Sequence, residues 1–270
     1  MSLTPGAAVS SYGVLLQASS GNQMERVAEQ LRHLGYAVLD PGFSSREIES
    51  LSSRFDQAHA AYIARHGEQR LRAIDEYNGI RLPLAIDRSF IGLAMNEVVL
   101  AVLGRMISGK FILNQQNGVI NPPGQEYNQA AWHRDLPYQH FVSSRPIAIN
   151  ALYCVDAFTR QNGATYVLPA SHREESFPSD DFTLANQVQV EAPAGSFILI
   201  DAMTFHKGGF NASSDRRRAV SHLYTIPYIK QQVDIPAVLQ GERFEPAVAD
   251  LLGFRYRVAD SVDDFLNARG

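Results

Sequence analysis

The feature that most restricts this chain is a change of texture at Gly109. Before it, apolar residues recur at helical spacing; after it, the chain breaks into short β-prone runs separated by clusters of Gly, Pro, Asn and Ser. The runs cover residues 111–120, 147–155, 164–168, 188–190, 197–200 and 220–226. Strands so short and so many must pack on one another to bury a face. The expectation is therefore an α+β, mainly β, chain whose later part is a β-sandwich or barrel with helices packed on it.

The helical part is legible in detail. Met24, Val27, Ala28, Leu31 and Leu34 share one helix face, and Gly35 stands where a left-handed C-cap belongs. Residues 36–39 read as a short strand. Ser44 and Glu47 form a capping-box pattern ahead of a second helix running to about Arg65. No period wins over residues 67–89, which read as a loop-rich insertion, either a lid or a subunit contact. Residues 90–107 read as one further helix. In the tail, 254–258 alternates like a strand and 262–266 reads as a helical turn.

Composition narrows the function. At 270 residues and 45% hydrophobic side chains the chain can bury a sizeable core, which excludes disorder as its main state. No repeat or linker marks a boundary. One catalytic domain over 1–270 is expected, with helices at about 20–108, the β core at about 110–228 and an extension at about 229–270. The 24 basic residues against 28 acidic ones give a net charge of -4, so neither nucleic acid nor an anionic membrane is an expected partner. A single cysteine, Cys154, excludes a disulfide framework and a cysteine-based zinc site. Residues 1–17 lack the pattern of a secretory signal and no run is long enough to span a membrane, so a soluble, cytoplasmic protein is expected. Dinucleotide, P-loop, zincin and nucleophile-elbow motifs are absent.

What carries chemistry is Trp132-His133-Arg134-Asp135. In a strand, residues two apart share a face, so His133 and Asp135 can ligate one ion from one side. Alone this is weak, since chance places an H-x-D roughly 0.4 times in a chain of this composition. The second piece is a β-prone run into His206, a turn rich in Gly, Asn and Ser, and a run that begins Arg216-Arg217-Arg218. Paired as a hairpin, these runs bring His206 and Arg217 to one cavity. Two histidines and one carboxylate leave open positions on an ion, as in non-haem Fe(II) oxygenases, and an arginine nearby can anchor a dicarboxylate.

In this order of motifs the chain resembles the phytanoyl-CoA dioxygenase family of Fe(II)- and 2-oxoglutarate-dependent oxygenases. The resemblance spans most of the chain. It takes in Leu34-Gly35-Tyr36-Ala37-Val38-Leu39, the His133–Asp135 motif, and Asn162-Gly163 with Pro169-Ala170-Ser171-His172, where Ala170 replaces the family's usual Gly. His206, Gly209, Asn211 and Arg217-Arg218-Ala219 match the closing signature.

The resemblance implies a double-stranded β-helix, a jelly-roll and cupin-like fold, with Fe(II) held by His133, Asp135 and His206 in its mouth. It implies 2-oxoglutarate held through Arg217, with Arg216 and Arg218 pointing outward, and with Gln116 and Asn150 lining the cosubstrate or substrate pocket. The implied reaction consumes dioxygen and 2-oxoglutarate, releases succinate and CO2, and oxidises an unactivated C–H of a small-molecule substrate, most simply by hydroxylation. An aspartate in H-x-D argues against the halogenase branch, which needs that position vacant. Tyr138, Gln139 and His140, just beyond the metal loop, have two readings: contact with substrate, or a cover over the barrel mouth. Two other functions are compatible with the ligands: a cupin-like redox-inactive metalloenzyme, which leaves Arg217 unexplained, and a non-catalytic jelly-roll binding module.

Overall fold

The computed structural model describes residues 21–136 and 141–267. Residues 1–17, and with them the absence of a secretory signal, and Tyr138, Gln139 and His140 lie outside the described residues. Helix α1 (Gln23–Leu34) starts where the Asn22 side chain accepts the Glu25 amide and stops at Gly35. With φ at 79°, Gly35 turns its N–H back to the Leu31 carbonyl. Strand β1 (Tyr36–Leu39) follows at once, and the Ser44–Glu47 capping box opens α2 (Ser45–His66).

The insertion expected to be a loop is ordered. It carries α3 (Glu68–Ala73), β2 (Gly79–Arg81) and a 3-10 turn at Pro83–Ala85. A three-residue strand is too short to show a period, and β2 exists only because a longer strand pairs with it. The single helix expected over 90–107 is two, α4 (Ser89–Ala94) and α5 (Glu97–Met106). The Asn96 side chain accepts the Val99 amide at 3.0 Å and so restarts the helix.

After Gly109 come β3 (Ile112–Asn121), β4 (Ala148–Cys154), β5 (Tyr166–Val167), α6 (Asp180–Asn186), β6 (Val188–Gln189), β7 (Phe197–Asp201), β8 (His206–Lys207) and β9 (Arg217–Thr225). The tail adds α7 (Ile235–Val238), α8 (Pro246–Leu252) and α9 (Val262–Asn267). Its alternating stretch at 254–258 is no strand. Gly253 at φ 93° starts a 3-10 turn there, and Phe254 packs on Phe244 rather than alternating across a sheet.

The strands form two antiparallel sheets, one of six in the order β1-β7-β4-β9-β3-β2 and one of three in the order β6-β5-β8. The helices cover one face of the large sheet, where Leu31, Phe55, Val99, Leu103, Tyr153, Phe197 and Tyr224 share the main core. A second core of Cys154, Phe158, Val167, Ile198 and Ala219 lies between the sheets. This is the double-stranded β-helix, with its helical layer outside. Covered on both faces, β9 is buried almost throughout, which is why it reads as a run rather than an alternation. No helix among the described residues is long and apolar enough to cross a membrane.

Candidate metal centre

His133 and His206 are joined through their backbones. Each donates its N–H to the other's carbonyl at 3.0 Å, an isolated antiparallel bridge that ties the metal loop to β8. Their imidazole centroids lie 4.4 Å apart. In both rings Nδ1 lies against a backbone carbonyl, Ala131 O at 2.8 Å for His133 and Thr204 O at 2.9 Å for His206. A carbonyl only accepts, so Nδ1 carries the proton and each Nε2 lone pair is free for an ion.

Asp135 completes the set. Its Oδ1 lies 3.7 Å from His206 Nε2, and one ligand atom from each of the three residues falls within 4.8 Å of the others. Burial, and then the neighbouring His206, lower the His133 pKa, which favours the neutral ligand form. Two imidazoles with fixed tautomers and a carboxylate on one side of a cavity fit a divalent transition metal with open positions.

Asn150, expected only as a lining residue, has a definite partner: its Nδ2 donates to Asp135 Oδ2 at 3.1 Å. Ser221 Oγ donates to Asn150 Oδ1 at 3.1 Å, so β9 orients the amide that orients the carboxylate. Arg134, between the two ligands, points away from the cavity. Its guanidinium donates to the carbonyls of Met203 (2.6 Å), Ser171 (2.9 Å), Glu174 and Glu175 and stacks on the Phe205 ring. The alternation that turns its neighbours inward thus anchors the loop from behind. Sequence inspection missed both roles, although a buried position for Arg134 was implied by the strand spacing.

The hairpin expected to join His206 to Arg217 does not form. The run before His206 ends at Asp201, β8 pairs with β5, and β9 pairs with β3 and β4 in the other sheet. The two residues meet because the sheets face each other, and both line one cavity of about 340 Å³. Arg217 is 3% exposed. Its Nη2 donates to the Tyr127 hydroxyl at 3.1 Å and its guanidinium lies 4.0 Å from the Phe158 ring centre. Nε and Nη1 have no partner among the described residues. Burial lowers the Arg217 pKa and raises that of Tyr127, which Arg217 partly offsets. Gly208 makes this possible, since a Cβ there would lie 2.0 Å from the Tyr127 oxygen.

Arg216 and Arg218 point away as expected, Arg216 to Asp56 and Arg218 to Asp56 and Asp156. Gln116 is the correction. Its amide turns to the helical layer, where Oε1 accepts the Leu84 amide at 2.9 Å and Nε2 donates to Phe90 O at 2.8 Å. A bulge between Leu113 and Gln115 shifts the phase of β3, so Gln115 and Asn117 line the cavity instead.

A double-stranded β-helix whose mouth gathers two histidines and a carboxylate is the architecture of a non-haem metalloprotein. The sequence profile of the family described as Phytanoyl-CoA dioxygenase (PhyH) matches residues 31–219, and the chain belongs to that family. An uncharacterized protein of Mycobacterium tuberculosis, Rv1501, is 29% identical over 259 residues, which are 93% of this chain and 94% of that one. Dioxygenase af480 of Aspergillus fumigatus is 26% identical over 249 residues, 86% of this chain and 78% of its own. Among solved structures, the epimerase SnoN in complex with Fe3+, alpha ketoglutarate and nogalamycin RO superposes with a TM-score of 0.59 at 17% identity, covering 83% of this chain and 92% of its own. That likeness is one of fold.

Proposed function

We propose that this protein is a non-haem Fe(II)- and 2-oxoglutarate-dependent oxygenase that hydroxylates an unactivated C–H of a small-molecule substrate. The observation that carries this reading is Arg217: a buried guanidinium with two unpaired donors, opening on the cavity that holds His133, Asp135 and His206. A cation so placed needs an anion. A hydrolytic or isomerising metal site, or a simple binding module, has no use for it, whereas a dicarboxylate cosubstrate reaching from the metal to Arg217 satisfies both ends.

Iron held by His133, Asp135 and His206 supplies the redox chemistry that couples oxidative decarboxylation of 2-oxoglutarate by dioxygen to oxidation of a C–H bond. The chain's residues position and insulate. Asn150 and Ser221 hold Asp135 in one rotamer, and the carbonyls of Ala131 and Thr204 keep the imidazoles neutral and aimed. Arg217 and the Tyr127 hydroxyl offer a charged and a neutral donor to the far carboxylate of the cosubstrate. Val119, Leu152 and Ala219 line the stretch between Arg217 and Asn150, where apolar walls keep water out. An epimerase has the same fold, so the fate of the substrate carbon, a new hydroxyl or an inverted centre, is read from the product.

The test is succinate release from 2-oxoglutarate with Fe(II), ascorbate and dioxygen, for wild type and His206→Ala together. Wild-type turnover that the variant lacks is expected. Anaerobic Fe(II) titration in the presence of 2-oxoglutarate should give a visible metal-to-ligand band. Neither succinate nor a band from metal-replete wild type would falsify the reading.

A further inference from the structure

Resting on the oxygenase reading, the far end of the same cavity identifies the substrate class. The cavity runs along the large sheet. Its cosubstrate end is closed by Arg217, and β3 and β9 run antiparallel away from it with Asn117 opposite Ser221. At the other end the lining side chains are carboxamides: Gln115 and Asn117 from β3, Asn78 from the insertion, Gln129 from the turn before the metal loop, and Gln232 from the tail. The insertion and the tail are thus walls of the site.

The charges at this end are already matched. Arg81 binds Glu76 through Nε at 2.8 Å and through a second guanidinium nitrogen, and Arg81 Nη1 reaches the Asn117 amide oxygen at 3.2 Å. The remaining carboxylate, Asp75, is exposed at the rim, where water screens it. Arg134 is taken up by carbonyls behind the loop. Among the described residues, this end therefore offers no buried unmatched charge to a phosphate, a carboxylate or an ammonium group. It offers many groups that both donate and accept. A carboxamide presents a carbonyl and an NH2 side by side, and the ligand group that answers both is the hydroxyl.

Size sets the second limit. A volume of about 340 Å³ is near the bottom of the ~300–1,000 Å³ range for small-molecule sites, and a five-carbon diacid shares it. A long acyl chain finds neither the space nor the apolar wall, since the apolar lining lies toward Arg217. We infer that the substrate is a small neutral molecule dense in hydroxyl groups, a polyol or simple glycoside of about monosaccharide size. Gln115, Asn117 and Gln232 are its specificity-determining residues.

The test presents two panels to anaerobic protein loaded with Fe(II) and 2-oxoglutarate: neutral polyols with simple glycosides, and fatty acids with acyl thioesters. Polyol-panel members are expected to raise the thermal midpoint beyond the shift given by 2-oxoglutarate alone. On admission of dioxygen they should raise succinate release above the uncoupled rate. In Asn117→Leu the half-saturating polyol concentration should rise about tenfold, the cost of an unpaired substrate hydroxyl. The shift induced by 2-oxoglutarate alone shows that this variant is folded and its cosubstrate end intact. The inference is overturned if the acyl panel gives these responses instead, or if the polyol panel gives none in a protein that shows the visible 2-oxoglutarate band. Absence of the band itself strikes at the oxygenase reading and takes the inference with it.

Discussion

Replacing Arg217 with methionine should make the cosubstrate-free protein more stable and the cosubstrate-bound protein less so. Arg217 is buried with Nε and Nη1 unpaired. Each orphaned donor costs about 1–3 kcal/mol, so their removal recovers roughly 2–6 kcal/mol. Against this, the variant loses the 3.1 Å bond to Tyr127 and leaves that hydroxyl unpaired, roughly 1–3 kcal/mol. It also gives up the guanidinium stacking on Phe158, about 1–2 kcal/mol, part of which a methionine sulfur returns. The balance is about 1 kcal/mol in favour of the variant, a rise of roughly 2–4 °C in midpoint for a chain of this size. With 2-oxoglutarate at about 100 times its dissociation constant, wild type gains about 2.7 kcal/mol and the variant nothing. Thermal melts of both proteins with Mn(II), with and without 2-oxoglutarate, should therefore cross. A variant that melts below wild type without cosubstrate, and still shifts upward with it, refutes the argument that this guanidinium waits for an anion.

Three further outcomes follow from the same structure. Asn150→Ala removes the donor to Asp135 and should weaken Mn(II) or Co(II) binding by about 10–100-fold in calorimetry while the fold stays intact; unchanged affinity would show the amide to be dispensable. Ala170 sits at φ 64°, the left-handed region, where the family's usual glycine is unstrained, so Ala170→Gly should raise stability by about 1 kcal/mol in urea melts; a loss instead would show that the neighbouring turn holds the strain at no cost. Burial pushes the fully buried His222 down to about 4 from the usual histidine value of 6.5, so the unfolded chain takes up its proton first as pH falls. Its contribution is therefore whole above about pH 6.5 and lost by up to about 3 kcal/mol as pH falls toward about 4. Asp201, raised to about 6 chiefly by burial, acts in the opposite sense, favouring the folded state as pH falls, so the check is the difference between wild type and His222→Phe. The acid-side loss should shrink in the variant, and an identical pH profile for the two proteins would exclude His222 as its source.

The parts of the fold that are local were the legible ones. Helix α1 and its Gly35 stop, the capping box of α2 and the metal loop all follow from neighbours within a few positions, and the structure has them where those neighbours put them. The ligands His133, Asp135 and His206 were found by residue type and spacing, yet their meeting depends on a bridge between distant segments. The expected route from His206 to Arg217 failed for that reason: turn chemistry suggests a hairpin, but the sheet that each strand joins is decided by tertiary packing. Gln116 was misplaced because a bulge changes the phase of β3 without leaving a glycine or proline to announce it. β2 was invisible at three residues, and the carboxamide wall was invisible because its members come from four separated segments.

The backbone bridge between His133 and His206 has a consequence for how the protein matures. Residues far apart in sequence must close a long loop before they can exchange those two hydrogen bonds, so this contact belongs to the late, high-contact-order part of folding. A nascent or half-folded chain carries all three donors but has no geometry in which to gather them. Iron capture is thereby reserved for finished molecules, and a redox-active ion is kept away from chains that still expose oxidisable side chains and have no substrate pocket to direct it.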